Sequence, residues 1–158
     1  MPVFVGTHIN KVDRKGRVSV PAPFRNGLGG QSTQGVYVMR SIRGVRALDG
    51  FAPDSFADLA NSISNPFANE HEDVTSAIFG AAMLLPFDGE GRMVIPDLLR
   101  DFAGLDEHAC FIGRGPFFQI WEPDAGQRHQ EEAFRRATEN RDSIQLAFAS
   151  RVGGGDGR

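Results

Sequence analysis

The chain has 158 residues, 41% of them hydrophobic and 23% charged; that is the composition of a globular protein with one ordinary core or two small ones, and it excludes a disordered chain. No apolar stretch reaches the roughly 18 residues that cross a bilayer, the N-terminus has no basic start followed by an apolar run, and Cys110, the lone cysteine, excludes an internal disulfide or a Cys-x-x-Cys redox or zinc motif. The net charge of −3 hides an asymmetry: residues 1–48 carry eight Lys or Arg against the single acid Asp13, net +7, and the remaining 110 residues carry net −10, which points to a polyanion-binding face on the N-terminal part.

In chain order, "VFVGTHI" is a strand candidate, "DRKG" a turn and "RVSV" a second strand. "PAPFRNGLGG" is a short helical segment whose glycines suit a helix C-terminus, and "GVYVMRSI" with "GVRAL" forms a hairpin. A helix then opens at Pro53-Asp54, with Phe56, Leu59, Ala60 and Ile63 on one face. The polar "NPFANEHED" joins two halves, and a helical stretch near "DVTSAIFGAAM" leads on. "AAMLLPFD", "RMVIP", "DLLRDFAGL", "ACFIGR" and "FFQIWE" repeat the earlier order, with Gly104 as a helix stop. A long helix opens at Pro123-Asp124 and breaks near Asp142, and the tail "GGGDGR" is expected to be disordered.

The repetition is a duplication. A shift of 75 lays Phe4 on Phe79, Asp13 on Asp88, Gly16 on Gly91, Arg17 on Arg92, Pro21 on Pro96, Arg25 on Arg100 and Gly29 on Gly104. With small adjustments Arg40 falls on Arg114 and Pro53-Asp54 on Pro123-Asp124. A unit of about 50 residues leaves much strand surface uncovered, so pairing of the halves within one chain is expected to complete a small barrel. The organisation expected is a first repeat with its following helix at 1–64, a linker at 65–76, a second repeat with C-terminal helices at 77–152, and a tail at 153–158.

The stretches "FVGTHINKVDRKGRVSVPAPFR", "FDGEGRMVIPDLLRDFAGL" and "IGRGPFFQIWE" resemble the MraZ family of bacterial transcriptional regulators over nearly the whole chain. The mark is the doubled Asp-x-x-x-Arg motif, each copy followed by a short strand, a Pro and a helical turn ending in Arg. The resemblance implies an α+β fold of two tandem swapped-hairpin units of the AbrB and SpoVT type, with flanking helices. It also implies ring-like homo-oligomers, a nucleoid-associated cytoplasmic location, and binding to repeated duplex DNA sites upstream of the division and cell-wall gene cluster.

Chemistry assigns the motif's parts. An Asp opening a tight turn accepts backbone N–H bonds, and a Gly three residues on supplies a conformation other residues resist. Asp13, Gly16, Pro21, Asp88, Gly91 and Pro96 are therefore read as architectural. Arg17 and Arg92 can pair back to the Asp and still present donors to phosphate or to guanine. Arg14 and Lys15 lie at the loop tip, and Gly89 and Glu90 replace them in the second copy without loss of the frame. These two are the expected nucleic-acid contacts, with Lys11 on a phosphate, while Arg25 and Arg100 are expected to pack or to bridge subunits. The basic stretch "MRSIRGVRALDG" has charge but no motif.

No catalytic constellation converges among His8, His71, His108, His129, Cys110 and the acids, so no enzymatic activity, cofactor, metal or small-molecule substrate is expected. "NEHED" lacks the second His or Cys cluster a metal would need, and "HAC" at 108–110 should place His108 and Cys110 on one face for packing. "GRGPFF" is a turn, and Trp121, Phe117 and Phe118 are expected in the core rather than stacked on bases. A rival reading is an antitoxin-like protein-binding module on the same scaffold, favoured by the acidic helical second half.

Overall fold

A computed structural model describes residues 2–30, 34–63 and 71–156. The order is β1 (Thr7–Lys11), β2 (Arg17–Ser19), α1 (Ala22–Leu28), β3 (Val36–Arg40), β4 (Leu48–Phe51), α2 (Pro53–Ile63), α3 (Glu72–Phe79), β5 (Met83–Leu85), β6 (Arg92–Val94), α4 (Asp97–Ala103), β7 (His108–Gly113), β8 (Phe118–Trp121), α5 (Pro123–Glu139) and α6 (Arg141–Asp156). The fold class is α+β, as the pattern predicts.

Two strand expectations shift, both at glycines. Gly6 has φ +92°, so the first ladder starts at Thr7, and Phe4 meets Gly115 in an isolated bridge instead. Gly44 has φ +80°, so "GVRAL" is mostly a turn and β4 starts at its last residue, Leu48. A left-handed backbone cannot continue a pleated strand.

Pairing runs across the two halves. β1 pairs with β7, β4 with β8 and β3 with β5, all antiparallel, giving a six-stranded sheet in the order β1-β7-β8-β4-β3-β5. Exchanging β1–β4 for β5–β8 turns this order into its own reverse. The separate ribbon β2-β6 maps onto itself. The chain thus carries a pseudo-twofold relation between its repeats.

The chain divides into two compact units, Met1–Pro123 and Asp124–Arg158, and the first contains the strands of both repeats. The duplication fails ahead of the first strands: Phe4 is buried in the core, whereas its counterpart Phe79 ends α3 and packs on Phe56. Of the expected linker, residues 65–70, including Asn69 and Glu70 of "NEHED", lie outside the described residues, and α3 begins at Glu72.

The core of the first unit draws on both halves. Val18 and Met93 come from the ribbon, Val20 and Ile95 from just past its strands, and Phe4, Phe24, Phe111 and Phe118 form an aromatic cluster. Phe118 lies 5.1 Å from both Phe4 and Phe24, edge-on and tilted respectively, geometries that aromatic quadrupoles favour. Cys110 and Trp121 are buried as well, and burial pushes the Cys110 thiol up, away from reactive thiolate. His108 differs from expectation: it is exposed while Cys110 is buried, because it starts β7 opposite the exposed Lys11 at the sheet's end strand.

In the second unit, α5 ends at Glu139 and α6 starts at Arg141, close to the expected break. Arg135 pairs with Glu132 and Glu139, and Arg136 with Glu132, at the i,i+3 and i,i+4 spacings that bring side chains together on a helix surface. α6 runs to Asp156, into the tail expected to be disordered. Each added helical residue gains a hydrogen bond from a turn already formed. Among the described residues no helix is long and apolar enough to cross a membrane.

Candidate nucleic-acid interface

The two Asp-x-x-Gly-Arg loops are the same structure built twice. In the first, Asp13 Oδ1 accepts the backbone N–H of Lys15 and of Arg17, each at 2.9 Å, and Arg17 Nε donates to Asp13 Oδ2 at 2.6 Å. In the second, Asp88 Oδ1 accepts from Glu90 N at 2.8 Å and from Arg92 N at 3.0 Å, and Arg92 Nε donates to Asp88 Oδ2 at 2.9 Å. Both turns close with Gly N–H on the Asp carbonyl, at 3.0 and 3.1 Å. The glycines sit at φ +81° and +76°, where a side chain costs about 1–2 kcal/mol.

These bonds hold both carboxylates below the usual range. The backbone N–H of Arg17 is the largest cause for Asp13, and that of Arg92 for Asp88. Asp88 in turn, chiefly through its hydrogen bond, holds the Arg92 guanidinium more firmly charged, and Asp13 contributes to the same effect across the gap between the loops. The loops therefore lie near one another.

Each loop is braced by the other repeat. Val20 N donates to Gly91 O at 3.1 Å and Ile95 N to Gly16 O at 3.0 Å. Arg100, from α4, lies over Gly16, and Arg25, from α1, lies over Gly91. Pro21 and Pro96 stand before α1 and α4, and each carbonyl accepts two N–H groups of the first helical turn. Arg25 and Arg100 thus pack within the chain, and their part as braces was visible in the sequence only as a shared position. The ribbon β2-β6, one strand from each repeat, ties the two loops together.

What differs is the content of the tips. Loop one, residues 13–17, has one acid against three bases; loop two, residues 88–92, has two acids against one base. Arg14 and Lys15 are exposed, and among the described residues no acid stands within ion-pair distance of either. In loop two Glu90 approaches Arg92 at 3.5 Å, so the guanidinium there is shared between two carboxylates. Lys11 is exposed at the end of β1. Loop one can offer a phosphate two unpaired cations, with Lys11 as a third beside it, and loop two can offer none.

A second polar cluster, in the six-stranded sheet, was not foreseen. Asp49 on β4 and Gln119 on β8 face each other in register, both buried. Gln119 Nε2 donates to Asp49 Oδ1 at 2.8 Å, and Gln119 Oε1 accepts from Arg114 at 2.9 Å and from Trp121 Nε1 at 3.1 Å. Burial raises the Asp49 carboxyl above its ordinary value against the pull of Gln119 and Arg43. Phe117 is stacked on Phe51 and carries Arg43 and Arg114 on its ring, a packed arrangement rather than a base-stacking platform. Among the described residues no three His, Cys, Asp or Glu side chains gather to hold a metal.

A family model described as "MraZ protein, putative antitoxin-like" matches residues 78–145. Curated relatives cover far more of the chain. The transcriptional regulator MraZ of Gluconacetobacter diazotrophicus is 37% identical over 160 residues, 99% of each chain. The protein of the same name from Rickettsia akari is 37% identical over 149 residues, 93% of this chain and 99% of the relative, and that of Gluconobacter oxydans is 38% identical over 141 residues, 87% and 86%. With a doubled, reciprocally braced loop and identity of this level across nearly its full length, the chain belongs to the MraZ family.

Proposed function

We propose that the protein is a sequence-specific, duplex-DNA-binding transcriptional regulator that acts on repeated sites upstream of the division and cell-wall gene cluster. The observation that carries this reading is the pair of adjacent, identically framed loops of which only the first presents unpaired cations, Arg14 and Lys15, with Lys11 beside it. Its relatives' names as transcriptional regulators agree. Arg17 spends its Nε on Asp13 and keeps its terminal N–H groups for phosphate or a guanine edge; Arg92 does the same more weakly, beside Glu90. The cross-half pairing supports the swapped-hairpin barrel as the scaffold.

Three phosphate contacts give a salt slope of only about −2.7 and weak, largely non-specific binding. Ring-like assembly of several chains resolves this, because tethered loops on successive DNA repeats raise affinity about 100-fold or more when the spacings match. The location that follows is the bacterial cytoplasm, on the nucleoid.

The test is a gel shift on the protein's own upstream region. Arg14→Ala with Lys15→Ala is expected to abolish the shifted band, while Glu90→Ala retains it; equal binding by all three proteins sinks the reading. A second reading, an antitoxin-like protein-binding module, is favoured by the wording of the family description. Stoichiometric capture of a toxin, with no promoter fragment retained, would put it first.

A further inference from the structure

The basic stretch between β3 and β4 is not used by the loops described above. Arg40 ends β3 and Arg46 lies in the connection to β4, and both bring their guanidinium over the ring of Phe102, at 5.6 and 5.2 Å from its centroid. Their Cζ atoms are then at most about 11 Å apart, comparable with the roughly 8 Å screening length at physiological salt. Two like charges are held near each other, and among the described residues no carboxylate pairs with either. A cleft of about 520 Å³ opens beside them, lined by Arg40, Ile42, Phe102, Ser76 and Ala77 of α3, and Gly80 just past its end. Its size is that of sites for small molecules.

The cleft is separate from the DNA-facing loops. Arg100 lies over Gly16 of loop one, and Phe102 is two residues further along the same helix. At 3.6 residues per turn this rotates the side chain about 200°, so Phe102 and its two guanidiniums occupy the far side of α4 from that loop. The opposing wall, the last turn of α3, contributes about half a negative charge, outweighed by two full positive ones. The apolar part of the wall, Ile42 and Ala77, suits a ligand with a flat or apolar body behind its anionic group.

We propose that Arg40 and Arg46, presented on Phe102, form a binding site for a phosphate-bearing small molecule of about nucleotide size, distinct from the DNA-binding loop. Arg40 supplies the wall of the cleft and Arg46 the second charge, and guanidinium forks match phosphate oxygens in pairs. Calorimetric titration of the full chain with inorganic pyrophosphate at constant ionic strength tests it. The expected result is saturable binding that weakens at least 10-fold in Arg40→Gln with Arg46→Gln and is unchanged in Arg14→Gln with Lys15→Gln. Ile42 is 50% exposed, so Ile42→Glu puts an acid in the cleft without disturbing the core, and it is expected to abolish binding in a folded protein. Absence of saturable binding to the wild type, equal weakening in both double variants, or undiminished binding by Ile42→Glu overturns the proposal. Loss of promoter affinity in Arg40→Gln with Arg46→Gln as large as its loss of pyrophosphate affinity also overturns it, and assigns the pair to the DNA backbone.

Discussion

Loop one and loop two share every backbone feature and differ in two side chains. Asp, Gly and Arg at fixed positions build the turn, and each turn is then locked from outside by the opposite repeat. Nothing in that construction uses the two tip residues, which were free to become Arg-Lys in one copy and Gly-Glu in the other. The difference teaches that frame and tip are separable here: duplication supplied the frame, and charge at two positions sets its copies apart.

The largest effect should come from exchanging the tips. Arg14→Gly with Lys15→Glu makes loop one a copy of loop two, and promoter affinity is expected to fall about 100-fold or more with loss of avidity around an oligomer. A salt titration should find the slope less steep by about 1.8, the loss of two phosphate contacts. The reverse exchange, Gly89→Arg with Glu90→Lys, should raise affinity; no change in either protein would break the comparison.

Next in size is the shared support. Ile95 and its counterpart Val20, each just past its ribbon strand, are both buried in the core. Ile95→Ala should cost about 2–5 kcal/mol in a urea titration, and Val20→Ala less, since fewer methyl groups are lost. Both should weaken DNA binding through the loops they carry.

Smaller again is the turn glycine. Gly16→Ala and Gly91→Ala each force a left-handed alanine, costing about 1–2 kcal/mol. At Gly16 the new methyl would stand 3.0 Å from the Ile95 carbonyl oxygen, fixed backbone, while at Gly91 it meets the end of the Arg25 side chain, which can swing aside. Thermal unfolding should therefore find Gly16→Ala the more destabilised, and a reversed order would show that the braces are not equivalent.

How legible was this in the sequence? The repeat, the turn frame and the divergent tips were, because a tight turn needs particular residue types at particular spacings and leaves a local signature. The strand starts were misplaced at Gly6 and Gly44, where one positive φ decides and composition does not. That the halves pair was legible, but the particular pairs, β1 with β7, β4 with β8 and β3 with β5, were not, because which strand meets which is a long-range matter. Nor were the Asp49–Gln119 pair and the meeting of Arg40, Arg46 and Phe102, whose members are far apart in the chain and become neighbours only once the halves interleave.

The smallest expected effect tests a buried place where the repeats face each other, Asp49 of one against Gln119 of the other. Asp49 has its carboxyl raised by burial, so the folded chain holds that proton more tightly than the unfolded one. The wild type therefore loses stability as pH rises from 3.8 through the folded value, and the loss persists at neutral pH. Asp49→Asn keeps an acceptor for Gln119 and removes the charge. Its denaturation midpoint should exceed that of the wild type at pH 7, with the gap narrowing in acid; a constant gap would remove the titration from the account. Asp13 and Asp88 act with the opposite sign: their depressed values contribute stability above 3.8 that is lost as pH falls through the folded values.

The interleaved ladder also sets a timetable. Thr7 pairs with Ile112 and Leu48 with Ile120, so β1 and the β8-facing edge of β4, whose other edge pairs with β3, emerge from the ribosome before those partners exist. At about 5–20 residues per second, several seconds pass before β7 and β8 follow. Throughout that interval the N-terminal half is a set of open strand edges, the same surfaces through which nascent chains on neighbouring ribosomes could join one another.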